Sequence, residues 1–174
     1  GQRTIFSAGA TDKSAVMSFL TPAEDKDREV TVKRSESMKV IAKISADLKD
    51  VLPGQIGRYD DGFNLNCTGD TFQSEGVPTI LFEEGHFPND YTRETTREFA
   101  AASIISSLRS IATGTYLDFS TKNYFDIPEN DKKFNDILIK NVRIKDGIKD
   151  VSIQFSEKLI GNTVEFIPKI ENIE

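Results

Sequence analysis

The sequence predicts an α/β fold followed by a small antiparallel β module. Three observations carry that expectation. Residues 77–82, Val-Pro-Thr-Ile-Leu-Phe, form a continuous apolar run of strand length, as in a sheet buried on both faces. Amphipathic helices of about 32–52 and 92–112 flank this run, so helix, loop, strand and helix alternate. Beyond residue 134 the texture changes to alternation: Val142 and Ile144, then Val151, Ile153 and Phe155, with Gly147 and Gly161-Asn162 at turn positions.

Each element carries its own local signal. Arg3 to Ala8 reads as a short strand stopped by Gly9. Residues 9–29 read as solvated loop, interrupted by the apolar patch Ala15-Val16-Met17-Ser18-Phe19-Leu20. In the first helix Met38, Ile41, Ile44 or Ser45, Leu48 and Val51 or Leu52 recur at steps of three and four, and Pro53-Gly54 ends it. Gly57 through Gly76 is a loop of unusual length, which suggests a functional segment. After the strand, Asn89-Asp90-Tyr91-Thr92 supplies helix-capping residues. The second helix is expected to bury Phe99, Ala102, Ile105, Leu108 and Ala112, with Gly114 as its C-cap. The resulting division is 1–114 for the α/β part, 115–133 for a connector and 134–174 for the β-rich module.

The composition narrows the function classes. The chain has 174 residues, 29% of them charged, a mean hydropathy of -0.38 and a net charge of -6. Residues 131–174 carry eight basic and eight acidic side chains, so the deficit lies in the preceding part. An acidic chain without a basic stripe argues against nucleic acid as the main partner. No apolar run approaches the roughly 20 residues that span a bilayer, which argues against a membrane partner. The single Cys67 cannot form an internal disulfide. It points to a reducing, cytoplasmic compartment or to a protein that needs no staple.

The chemistry concentrates at the end of one strand, in Leu81-Phe82-Glu83-Glu84-Gly85-His86. Two carboxylates and the chain's one histidine stand there, where a charged group is held rigidly. Alternation along the strand puts Glu83 and Glu84 on opposite faces. Three ligands within four residues would be badly constrained for tetrahedral zinc, so no metal ligand is assigned in this chain. Arg58, flanked by Asp60 and Asp61, is expected to form a local ion pair.

Residues 31–112 resemble the C-terminal half of the zinc metallocarboxypeptidase domain of the carboxypeptidase A type, including bacterial members of that family. The resemblance rests on the order of elements and on Thr79-Ile80-Leu81-Phe82-Glu83, where the family has its catalytic Phe-Glu pair. It extends to Cys67-Thr68-Gly69-Asp70-Thr71-Phe72-Gln73-Ser74-Glu75-Gly76 and to Gln2-Arg3-Thr4-Ile5-Phe6-Ser7. It implies a zinc-dependent hydrolase that removes residues from peptide C-termini, with Glu83 as general base and acid. Thr68, Asp70 and Phe72 would line the pocket for the terminal side chain. Tyr59 would be the tyrosine that closes over the substrate, with Phe63 fitting the spacing about as well. His86, read from its position alone, could orient a carboxylate, line the site entrance or hydrogen-bond the following turn.

The family's zinc ligands, a His-x-x-Glu pair and a distant histidine, lie upstream of the matching segment. The expectation is therefore a truncated domain, inactive alone, whose zinc is bound by the longer protein. Such a piece is expected to self-associate through an exposed sheet edge. Two alternatives stay open: a deacylase of N-acyl amino acids on the same scaffold, and a non-catalytic binding protein on a degenerate peptidase fold.

Overall fold

A computed structural model describes residues 5–90 and 92–174. Helix and strand are mixed, as an α/β chain requires, and the chain divides into two units, Gly1–Lys132 and Lys133–Glu174. Tyr91 and the first residues of the expected opening strand, Arg3 and Thr4, lie outside the described residues.

The first unit is built on β2, Met17–Leu20, whose four residues are all buried. It lies between β3, Ile56–Arg58, which runs parallel to it, and β4, Leu81–Glu84, which runs antiparallel. Two expectations are corrected here. The patch read as an interruption of loop is the central strand of the sheet. Conversely β4 is an edge strand, half-buried, with Leu81 exposed. An edge strand keeps one side open to solvent, and the continuous apolar run 77–82 does not reveal that.

Helix α1, Val32–Leu48, starts where the Thr31 hydroxyl accepts the Arg34 backbone N–H at 3.2 Å. It buries Met38, Ile41, Ile44 and Leu48 against Met17, Phe19 and Ile56. Its last residue is Leu48 rather than Leu52, although Leu52 still joins the core. The long loop carries β3 at its start and a seven-residue helix, α2, Thr68–Ser74.

Helix α3, Glu94–Thr113, ends at Gly114, whose φ of 73° supplies the left-handed cap that glycine adopts without strain. Its orientation inverts the expected face. Thr96, Ala100, Ser103, Ser107 and Ser110 are buried, while Ile104, Ile105, Leu108 and Ile111 are exposed. Small side chains let α3 pack closely against α1. The serine hydroxyls spend their hydrogen bonds on the helix's own carbonyls: Ser103 on Phe99 at 2.7 Å, Ser107 on Ile104 at 2.7 Å and Ser110 on Ser107 at 2.9 Å.

The expected connector is structured and, up to Lys132, belongs to the first unit. It holds a 3-10 turn, Thr115–Asp118, then α4, Thr121–Phe125, and β5, Asn130–Lys132. Strand β5 pairs antiparallel with β1, Phe6–Ala8, as Phe6 with Lys132 and Ala8 with Asn130. The second unit is an antiparallel meander of β6, Ile137–Ile144, β7, Gly147–Ile160, and β8, Thr163–Ile173. One face carries Val151, Ile153, Phe155 and Leu159 opposite Ile173, Ile170, Pro168 and Val164. The other carries Ser152, Gln154, Ser156 and Lys158.

Candidate functional site

The sheet β3-β2-β4 has one rung that gathers polar groups. Ser18 of the central strand is in register with Gly57 on one side and with Glu83 on the other. Residues opposite each other across a sheet share a face, so Gly57, Ser18 and Glu83 line up on one side. Met17, Phe19 and Phe82 take the other side, where Phe19 and Phe82 meet edge to face at 5.4 Å. Glu84, in register with Met17, therefore faces away from Glu83, as alternation requires.

Tyr59 follows β3 and is fixed by its backbone N–H, which donates to the Phe19 carbonyl at 3.0 Å. Its ring packs edge to face against Phe6 at 5.9 Å. Burial raises the Tyr59 phenol above its usual value, and the charges of Glu83 and Asp60 raise it further. Tyr59 and Glu83 thus act on each other electrostatically from opposite sides of the central strand. The space above Gly57 is taken by Asn130: a Cβ on Gly57 would collide with the Asn130 amide oxygen, which accepts a hydrogen bond from the Ser18 hydroxyl at 3.0 Å.

The other residues singled out in the sequence fall elsewhere. Thr68, Asp70 and Phe72 all stand on α2. Thr68 and Phe72 are exposed, whereas Asp70 is buried and accepts the Asn64 backbone N–H at 2.9 Å, bracing the loop that precedes the helix. Phe63 is half-buried in that loop. The end of α2 is anchored by the buried Gln73, whose oxygen accepts the Thr79 N–H at 3.1 Å and whose amide donates to Glu24 at 3.2 Å.

His86 is engaged with the start of α3. Arg93 Nε donates to His86 Nε2 at 3.1 Å, and Arg93 Nη2 lies 3.3 Å from Nδ1. Burial lowers the imidazole below its usual value and Arg93 lowers it further, opposed by Asp90. Arg93 holds a left-handed backbone, φ 61°, at the helix N-cap and caps nothing itself. Asp90 does that work, accepting the N–H groups of Glu94 at 2.9 Å and Thr96 at 3.1 Å.

The expected pairing of Arg58 with Asp60 and Asp61 is corrected. Arg58 pairs with Glu129 at 2.8 Å and lies over the rings of Tyr124 and Phe125 at 5.4 and 5.2 Å. Asp61 pairs instead with Arg28 and with the buried Arg34. Carboxylates stand two and three residues after Arg58, but an arginine in a strand is aimed by the sheet, away from the loop beyond it.

Among the described residues no group of three His, Cys, Asp or Glu side chains is arranged to hold a metal ion. Glu83 and Glu84 diverge, and the His86 ring faces Arg93, so these described residues do not fit a zinc centre. No helix is long and apolar enough to cross a membrane among the described residues. Ser18 and Asn130 escaped the reading of the sequence. Met17 and Phe19 alternate about Ser18, a pattern four residues long and easily passed over. Nothing local marks Asn130. Compared with models of protein families, with curated proteins and with solved structures, the chain matches none.

Proposed function

We propose that this chain carries the acid–base arm of a zinc-dependent metallocarboxypeptidase, with Glu83 taking a proton from the attacking water and delivering it to the leaving amine. The observation that supports the reading is the electrostatic coupling of Glu83 with Tyr59 across the central strand, each tied to that strand by its backbone. A proton carrier needs a carboxylate of fixed position and partial desolvation. Glu83 is half-buried and clamped in register with a buried central strand. Under this reading Tyr59 is the phenol that meets the bound peptide.

Zinc does not fit the residues described, and no step in this chain is assigned to it. Under this reading the metal ligands belong to a longer polypeptide that carries these residues. The test has two parts. The 174-residue chain is expected neither to bind stoichiometric zinc nor to release amino acids from peptide C-termini; tight zinc with turnover would overturn this. The longer polypeptide is expected to hydrolyse peptides in preference to N-acyl amino acids, the reverse preference favouring the deacylase. Glu83→Gln in it should lower kcat by about 10²–10⁴-fold and leave the metal bound. Undiminished turnover in Glu83→Gln would remove Glu83 from the reaction.

A further inference from the structure

We propose that Asn130 is a positioning residue for Glu83, acting through Ser18 from a segment outside the peptidase-like part of the chain. The inference rests on reading Glu83 as the working carboxylate, and it gives residues 115–132 a role in the site.

The geometry is specific. Gly57, Ser18 and Glu83 form one rung of the sheet. Gly57 leaves its side-chain position vacant, and Asn130 occupies it so closely that even a methyl group there would strike the amide oxygen. A glycine inside a strand commonly marks such a close approach. The same oxygen accepts the Ser18 hydroxyl at 3.0 Å. Ser18 is fully buried, and its Cβ stands directly across the antiparallel pair from that of Glu83, at the ~5 Å typical of such pairs. Fixing the Ser18 hydroxyl therefore fixes the polar side chain that stands next to Glu83 in the rung.

Asn130 is itself held from two sides. The Arg58 backbone N–H donates to the Pro128 carbonyl at 2.7 Å, the Gly9 N–H donates to the Glu129 carbonyl at 2.8 Å, and Asn130 pairs with Ala8 across β1 and β5. The side chain thus comes from a backbone stitched to both β3 and β1, which a positioning residue requires.

The test uses the 174-residue chain with 13C-labelled glutamate, at fixed pH. Ser18→Ala and Asn130→Ala are each expected to shift the Glu83 side-chain carboxyl resonance by several linewidths, with Glu36 and Glu171 unmoved. The double variant should shift it no further than the larger single change, because both act through one hydrogen bond. Gly57→Ala, which displaces Asn130, should reproduce Asn130→Ala, and keeps the test alive if that variant fails to fold. In the longer polypeptide Asn130→Ala should lower kcat about tenfold with KM unchanged, and have no further effect beside Glu83→Gln. A stationary Glu83 resonance in folded Ser18→Ala and Gly57→Ala would overturn the proposal, whatever the activity. Shifted resonances with a fully active Glu83→Gln would sustain the link and sink only the catalytic reading on which it rests.

Discussion

Tyr59, one residue past β3, and Glu83 on β4 stand on opposite sides of the central strand β2, and the carboxylate makes the phenol harder to ionise. Replacing Glu83 by Gln removes one of the two charges that oppose the phenolate, so the Tyr59 pKa should fall. It should stay above 10.0, because burial is the larger cause and remains. NMR titration of ring-labelled tyrosine measures this. An unchanged midpoint would separate the two residues.

The same shift makes a statement about alkaline stability. Tyr59 and Tyr124 both have folded values raised above 10.0, Tyr124 chiefly by burial. The unfolded chain releases these protons first as pH rises. Stability held by the neutral phenols is therefore complete below pH 10 and is lost as pH climbs through the folded values. Urea midpoints measured from pH 8 to 11 should fall at the upper end, and less steeply in Tyr59→Phe.

His86 behaves in the opposite sense. Its folded value is lowered from 6.5, so the stability attached to the neutral imidazole is complete above pH 6.5 and is lost as pH falls through the folded value. Arg93→Ala removes a neighbouring cation and opens the ring to water, so the midpoint should rise. Asp90→Asn removes the one group that opposes the shift, so it should fall further. The chain has one histidine, so its proton resonances report both changes without assignment.

Arg34 is buried, and its guanidinium donates to the Thr21 and Arg28 carbonyls at 3.3 and 2.7 Å as well as to Asp61. Arg34→Ala should cost about 3–5 kcal/mol in urea unfolding. Arg34→Lys should recover only part of this, because one ammonium cannot reach carbonyls on both sides and the carboxylate as well.

The inverted α3 gives the sharpest contrast between neighbours. Ser107→Leu would force a large side chain into the α1–α3 seam and should cost about 1–3 kcal/mol. Leu108→Gln, one residue on and exposed, should stay within about 0.5 kcal/mol. Equal costs would mean that the helix faces the other way.

These contrasts mark what could be read from the sequence. Helix α1 was legible because its spaced residues, Met38, Ile41, Ile44 and Leu48, are the ones that reach the core. In α3 the spacing revealed the helix and misassigned its face. Ile104, Leu108 and Ile111 are the more hydrophobic side chains, but close packing against α1 selected the smaller Ser103, Ser107 and Ser110. Strand β2 was hidden by its length, four residues offering too little periodicity to compete with a polar surrounding. The strand that ends at Glu83 was visible from local pattern, and its register against β2 was not. The rung through Gly57, Ser18 and Asn130 was not, because residues 18, 57 and 130 meet only once distant strands have paired.

The ribbon of β1 and β5 also sets a timetable. Phe6 finds Lys132 and Ala8 finds Asn130, so the first strand of this unit waits for its last. During synthesis the earlier strands and helices emerge while β1 still lacks its partner, and the loop that must then close is more than a hundred residues long. Closing it late adds little entropic cost, since that cost grows only with the logarithm of loop length. The consequence is one of order: a nascent chain halted before Asn130 would hold Glu83 in its strand and leave the rung beside it unfinished.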